Sequence, residues 1–483
     1  MTIVSLLDVL VNGLIEAEEN FFNNLKDFHT LEKSVKAATE SFAAGFLGEV
    51  LSSINRQICK CSWREGRYNI QRNDSRTIIS SVGDISFDCT YFKKLTEDGG
   101  YTYLLEEVIG LDKHERFTEE AEVMMLIEAL KTSYAEATKV LPSNQKITKT
   151  TVMNKVHQIA EEIPYEAPVE RKEADYLYIE ADEDHIAEQH GNISLENKSF
   201  ISKLIYVYEN KREVEGCPER KELVNKFYFS GLYPDKEGNE KLWTNVRDYI
   251  NMTYDTEKLK RIFISGDGAP WIKSGVDYLE NALFCADKFH LMKYINIAAA
   301  QMLDEKDIAK NELWHLLYSK KHRAKERFAE YTEQMMNSAK NPDKVEKLRS
   351  YVLGNWAAIR RTLRNKLVDG CSAESHVSHV LSDRLSSRPM GWSQTGADRM
   401  SKLRCYERNN GRDGIINLVK YSRKLRKGNS AVADNSISKE ISLREIRAEH
   451  YKQSRSYIER IQAQIPGETV RKIASIREQI KIL

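Results

Sequence analysis

Between Tyr176 and Phe284 the chain alternates strand-like and helical stretches, and this order constrains its fold more than any other feature. YLYIEA (Tyr176 to Ala181), FISKLIYVYE (Phe200 to Glu209), KFYFSGL (Lys226 to Leu232) and RIFISG (Arg261 to Gly266) are rich in aromatic and β-branched residues and bounded by turn formers. A helical pattern from Glu240 to Tyr254 separates the last two, and the short apolar ALFCA (Ala282 to Ala286) follows. Strands in succession, then helix, strand, helix and strand, predict a mixed sheet with helices packed on it. Residues 288 to 369 read as helix almost throughout. At roughly 150 residues per domain, 483 residues make about three domains, so the expected class is multidomain α+β with helical N-terminal and C-terminal regions.

The upstream third has its own grammar. Residues 1 to 60 carry apolar positions at helical spacing, as in Phe42, Phe46, Val50 and Ile54, and Asp8 interrupts the apolar opening, which reads as an amphipathic helix rather than a signal peptide. Residues 61 to 115 form an expected small β unit, because TIISSVGDISFDCTYFKKL alternates and Gly83-Asp84 and Asp98-Gly99-Gly100 supply turns. From Thr118 a helix with acids in its first turn is followed by a short helix from Ser133 and by KITKTTVMNKVHQIAEEI. Residues 116 to 170 therefore read either as a helix-turn-helix that offers Lys146, Thr148, Lys149 and Thr151 to DNA, or as an ordinary helical hairpin with a polar first turn.

Charge is balanced overall, 73 Lys plus Arg against 72 Asp plus Glu, but not locally. Residues 355 to 428 hold 16 basic against 6 acidic residues, a net +10, which suits a phosphate backbone unless acidic neighbours offset it in the fold. Seven scattered cysteines argue against a secreted disulfide framework and for a reducing cytoplasm, and no run approaches the roughly 20 apolar residues of a membrane-spanning helix. Cys59 and Cys61 are one residue apart, with no second pair at zinc-ribbon spacing.

Three acids stand where chemistry could use them. Asp182 follows the strand YLYIEA, and Asp267 follows RIFISG between two glycines. Carboxylates at strand ends of one sheet can share a site, although Asp is also common wherever a strand meets a turn. Glu374 lies in the first turn of a helix expected near Ser372, where the helix dipole favours an acid in any case. Three carboxylates suit two hard divalent cations over a phosphodiester. Asp184, two residues beyond Asp182, is an alternative first acid. His376 and His379 lack the i, i+4 spacing of a zinc-protease pair.

IEADEDH, ISGDGAPWIK with CADKFHLMKY, and AESHVSHVLSDRLSSRPMGWS resemble the DDE transposases of the bacterial ISLre-two insertion-sequence family, distant relatives of the Mutator-like transposases. The upstream SVGDISFDCTYFKK and TSYAEATKVL to TTVMNKV stretches extend the resemblance over most of the chain. ICKCSW departs from the Cys-Pro-x-Cys-like element of those relatives. The resemblance implies a ribonuclease-H-like mixed-sheet core in residues 171 to 300 plus 370 to 395, interrupted by a helical insertion at 301 to 369 and followed by a basic helical region at 396 to 483.

It makes Asp182, Asp267 and Glu374 the catalytic, metal-holding acids, with Asp184, Asp287 and His290 in support. It implies two Mg²⁺ ions, with Mn²⁺ a substitute, transposon-end and target DNA as partners, a homo-oligomer in the active complex, and no membrane association. Arg384, Arg388 and Trp392 are expected to meet phosphates or an unpaired base, with core packing the alternative for Trp392. A protein derived from a transposase that only binds DNA, or a nuclease that cuts without joining, would carry much of the same sequence.

Overall fold

A computed structural model describes the whole chain except residues 1, 96–98, 164, 190–198, 369, 389, 428–440 and 463–483. Parts of the basic C-terminal region thus lie outside the described residues. The chain divides into two compact units, one built from Met1–Lys155 with Ile416–Leu483 and the other from Val156–Ile415.

The first unit opens with α1 (Ile3–Asn23) and α2 (Phe28–Lys60), capped by Thr2 and Asp27. A hairpin of β1 (Tyr68–Ser80) and β2 (Gly83–Lys94) follows, with β3 (Tyr101–Thr102) on its edge, all antiparallel. Gly83 sits at the hairpin turn with φ 121°, a conformation that favours glycine. Alternation along β2 sends Ile85, Phe87 and Cys89 into a core that α2 closes with Ala44 and Ile58 and α3 (Leu104–Ile109) with Leu104 and Leu105.

Next come α4 (Glu119–Lys131), capped by Thr118 as expected, α5 (Tyr134–Ala137) and α6 (Lys149–His157). The helical pattern predicted to run to Ile163 stops at His157. Lys155 turns inward from α6, 2.9 Å from Glu115 and 3.2 Å from Glu122, and Arg423 meets Glu122 at 2.7 Å.

The second unit is built on a five-stranded mixed sheet. Its strands are β4 (Tyr176–Ala187), β5 (Ser199–Tyr208), then, after a separate hairpin of β6 (Asn210–Val214) and β7 (Cys217–Val224), β8 (Phe227–Leu232), β9 (Arg261–Gly266) and β10 (Ala282–Ala286). Spatial order is β10-β9-β4-β5-β8, and β5 alone runs against the other four.

In β4 the residues Leu177, Ile179 and Ala181 enter a large core with α7 (Lys236–Thr253), while Glu180, Asp182 and Asp184 take the opposite face. Past β9 lies α8 (Pro270–Lys273), and past β10 come α9 (Lys288–Ala299) and the helices α10 (Lys306–Tyr318), α11 (Ala324–Ser338), α12 (Pro342–Gly354) and α13 (Trp356–Arg364). Their apolar residues join the core on α7's side.

The other side is served by α14 (Ala373–Val377), a π-helical turn at Ser378–Ser382, α15 (Asp383–Leu385) and the start of α16 (Gln394–Lys427), whose Ser401 hydroxyl lies 2.9 Å from that of Ser202 on β5. From Ile416 onward α16 belongs to the first unit, which ends, as far as it is described, in α17 (Leu443–Gln462).

A candidate acidic active site

β4 is longer than its composition suggests. It runs through Asp182 to Ala187 because β5 pairs with it along that length, Asp182 opposite Leu204 and Ala187 opposite Ser199. Asp182 is therefore inside the strand, not just past it. The parallel ladder between β4 and β9 ends with Glu180 opposite Ser265, so Asp182 stands two residues further along β4 and Asp267 two residues further along the chain, just past the end of β9. A Cβ on Gly266 would come within 2.8 Å of the Ala181 carbonyl, which explains why the residue before Asp267 is glycine.

Both aspartates are half-buried and locally held. Asp182 Oδ1 accepts from the Glu183 amide at 2.9 Å, and Asp267 Oδ1 from the Ala269 amide at 2.8 Å. Burial pushes the Asp182 carboxyl up to about 6; the Glu183 bond opposes this, the charges of Asp267 and Glu374 add to it, and His290 draws it down. Two strands and a distant helix thus bring acids 85 and 192 positions beyond Asp182 into its electrostatic field, the separations being those from 182 to 267 and to 374.

Glu374 is exposed in the first turn of α14. Among the described residues, no three His, Cys, Asp or Glu side chains are yet gathered into an ion cage. The donor chemistry nevertheless suits a hard divalent cation, since all three groups are carboxylates and the half-buried Asp182 gains from any positive charge that screens its neighbours.

Asp287, His290 and Asp184, expected in support, are held in different ways. Asp287 is buried, caps α9 through the Phe289 amide at 2.9 Å, and holds His290 Nδ1 at 2.8 Å. That bond raises the His290 pKa, against burial, and Asp182 and Asp267 raise it further. Asp184 is occupied differently: both of its oxygens accept from the Ser386 hydroxyl at 2.9 Å, which ties β4 to the segment after α15.

Glu180 is a site residue that the sequence reading passed over. It is 1 % exposed, accepts from the Tyr208 hydroxyl at 2.6 Å and from the Ser372 amide at 2.6 Å, and also receives the Tyr206 hydroxyl. Lys211 lies 3.5 Å away. Ser372 is two residues before Glu374, so this buried carboxylate fixes where α14 begins. The available signal was a charged residue inside the otherwise apolar run YLYIEA.

The predicted DNA contacts divide. Lys146, Thr148 and Lys149 are exposed, but the Thr148 hydroxyl caps α6 by accepting from the Thr151 amide at 3.2 Å and lies 3.0 Å from the Thr151 hydroxyl. Arg388 is exposed. Arg384 and Trp392 are 2 % and 5 % exposed and correct the expectation that they stand ready for a phosphate or a base. The Arg384 guanidinium lies 4.7 Å over the Trp392 ring, and Trp392 Nε1 donates to the Leu385 carbonyl at 3.0 Å, so the pair packs the turn between α15 and α16.

Part of the basic stretch is likewise engaged within the protein. Arg404 is buried with its guanidinium on the His379 carbonyl at 2.8 Å, Arg360 and Arg364 each donate to the Ser319 carbonyl at 2.9 Å, and Arg399 and Lys402 flank Asp398.

The profile of the uncharacterised protein family UPF0236 matches residues 21–422, a span that contains Asp182, Asp267 and Glu374. The chain belongs to that family. A UPF0236 protein of Caldanaerobacter subterraneus subsp. tengcongensis, whose name joins eleven locus designations, is 32% identical over 395 residues, covering 81% of this chain and 80% of its own. A second from the same organism is 30% identical over 412 residues, with 83% and 84% covered. A UPF0236 protein from the vanSb 3′ region of Streptococcus gallolyticus is 22% identical over 404 residues, with 80% and 84% covered. Among solved structures, the Drosophila P element transposase strand transfer complex aligns with 67% of this chain and 83% of its own at 12% identity, but its TM-score of 0.21 carries no argument about fold or chemistry. Among the described residues of this UPF0236 chain no helix is long and apolar enough to cross a membrane.

Proposed function

We propose that this UPF0236 protein is a DDE transposase of an insertion sequence, of the ISLre-two kind, with a ribonuclease-H-like core. The observation that carries the reading is the placement of the acids: Asp182 within β4 and Asp267 just past the end of the adjacent parallel strand β9, with Glu374 in the field of the first. A five-stranded order with only the second strand reversed supports the core assignment. The eleven locus designations gathered under one relative's name support mobility, because a coding sequence repeated through one genome is what a self-copying element leaves.

Asp182, Asp267 and Glu374 would hold divalent cations, two Mg²⁺ with Mn²⁺ a substitute. When bound, such ions supply activation of a hydroxyl nucleophile and neutralisation of phosphate charge. The chain's own contribution is placement. Asp287 holds His290 toward the two aspartates, and Glu180 holds the start of α14 so that Glu374 can close the set.

In cleavage a water oxygen attacks the phosphorus at the element's end, the bond to the 3′ oxygen breaks, and that oxygen leaves as a hydroxyl. In joining, this hydroxyl attacks a target phosphodiester and releases a target 3′-hydroxyl. No enzyme side chain is covalently modified in either step. Lys146, Lys149 and Arg388 are proposed phosphate contacts, and the active complex a homo-oligomer that pairs two ends. Of the two candidates for first acid, Asp182 is preferred over Asp184, which is already engaged by Ser386.

Asp267→Asn removes one charge at constant volume. It is expected to lower Mg²⁺-dependent cleavage and joining of end duplexes by at least about a thousandfold while end binding persists. Joining at the parental rate would exclude Asp267 from catalysis. Binding without any joining by the parental protein would favour a DNA-occupying descendant instead.

A further inference from the structure

The helical insertion carries two buried polar atoms that find no hydrogen-bond partner among the described residues. Asn355, between α12 and α13, is 8 % exposed, and its Oδ1 is buried without a hydrogen bond, although its Nδ2 donates to the Tyr351 carbonyl at 2.9 Å. Its amide lies against the turn that carries Asp267: a Cβ on Gly268, whose φ is 96°, would come within 3.1 Å of both Nδ2 and Oδ1. One helical turn earlier, the Tyr351 hydroxyl is also buried and unpartnered. Its ring stacks on Tyr294 of α9 with centroids 4.7 Å apart, and its pKa is raised first by burial and then by the charges of Asp287 and Asp267.

Burying a polar atom without a hydrogen bond is costly, so two of them one helical turn apart in the same insertion need a use. Their chemistry is specific. Asn355 Oδ1 only accepts and the Tyr351 O–H can donate, which matches a hydroxyl, itself one donor and one acceptor. A phosphate oxygen would offer Asn355 nothing to accept, and the carboxylates of Asp182 and Asp267 can only accept. We propose that Asn355 and Tyr351 are positioning residues that hold the DNA 3′-hydroxyl beside Asp267, the hydroxyl donating to Asn355 Oδ1 and accepting from Tyr351. This rests on the transposase reading and adds to it the means by which the helical insertion orients the joining nucleophile.

The test uses the full chain and duplexes copied from the DNA flanking its coding sequence, ending in a 3′-hydroxyl or a 3′-deoxy sugar, with divalent cation withheld so that nothing reacts. The parental protein is expected to prefer the hydroxyl end by about threefold to tenfold, the worth of one or two hydrogen bonds. Tyr351→Phe, which removes only one oxygen, and Asn355→Ala should each abolish the preference without weakening binding of the deoxy end. Asn355→Asp, which keeps an acceptor, should retain part of it, and melting curves will show whether each variant is folded. Absence of a preference in the parental protein, or its persistence in Tyr351→Phe, would mean that the two groups bind buried water only, and would overturn the inference while Asp267→Asn still judges the reading. If the parental protein binds neither duplex, the reading falls and the inference with it.

Discussion

Replacing Glu180 with Gln would set an amide group against partners that all donate: two tyrosine hydroxyls, the Ser372 amide and hydroxyl, and Lys211. The expected cost is about 2 to 4 kcal/mol in urea unfolding, together with a fall in joining, because α14 loses the anchor that sets Glu374. Parental stability in that variant would show the network to be dispensable.

A second residue-scale prediction concerns His376, whose ring lies tilted against Tyr206 with centroids 4.3 Å apart and whose Nδ1 is 2.8 Å from the Tyr228 hydroxyl. Burial pushes its pKa down to about 4. The folded state therefore favours the neutral ring, so its contribution is complete above the unfolded pKa of about 6.5 and is lost as pH falls from there toward 4, by at most about 3 kcal/mol. The stability gap between the parental protein and His376→Gln, measured from pH 8 to pH 4, should be constant above neutrality and shift against the parental protein below it.

At the scale of elements, α2 lies so close to β2 that a Cβ on Gly48 would come within 2.3 Å of the Ser86 carbonyl. Gly48→Ala should destabilise the protein by about 1 to 3 kcal/mol, read as a lower melting temperature, although the same change in an exposed helix would help. This kind of constraint is invisible in the sequence, where Gly48 reads only as a weak spot in a helix. The runs RIFISG and ALFCA, by contrast, were legible to the residue, because short apolar strands flanked by turn formers mark their own ends. β4 was not: polar Asp182, Glu183 and Asp184 carry no strand preference, and only pairing with β5 keeps them extended. The β6–β7 hairpin was missed for the same reason, since its charged residues find their ladder only in each other.

For the whole molecule, the net +10 between residues 355 and 428 overstates the charge available to DNA. Arg384, Arg404 and Arg423 are buried, and Arg399 and Lys402 share Asp398. Binding of an end duplex, followed by anisotropy across a salt series, should therefore show a log–log slope below about 6, where ten free charges would produce about 9. A slope of 9 or more would mean that the internal pairs open on binding.

Composition and alternation by themselves determined the order in which the five strands of the central sheet follow one another in the second unit, the cap at Thr118, and the three acids worth watching, because these depend on neighbours within a few positions along the chain. Tertiary structure alone decided that Asp182 and Asp267 stand side by side, that Asp184 is taken by Ser386, that Arg384 and Trp392 serve packing, and that Glu180, Tyr351 and Asn355 belong to the site's surroundings. The physical reason is that burial and pairing are set by strand register and helix packing between residues up to 192 positions apart, as from Glu180 to Ser372, and a side chain's role follows from what surrounds it rather than from its type.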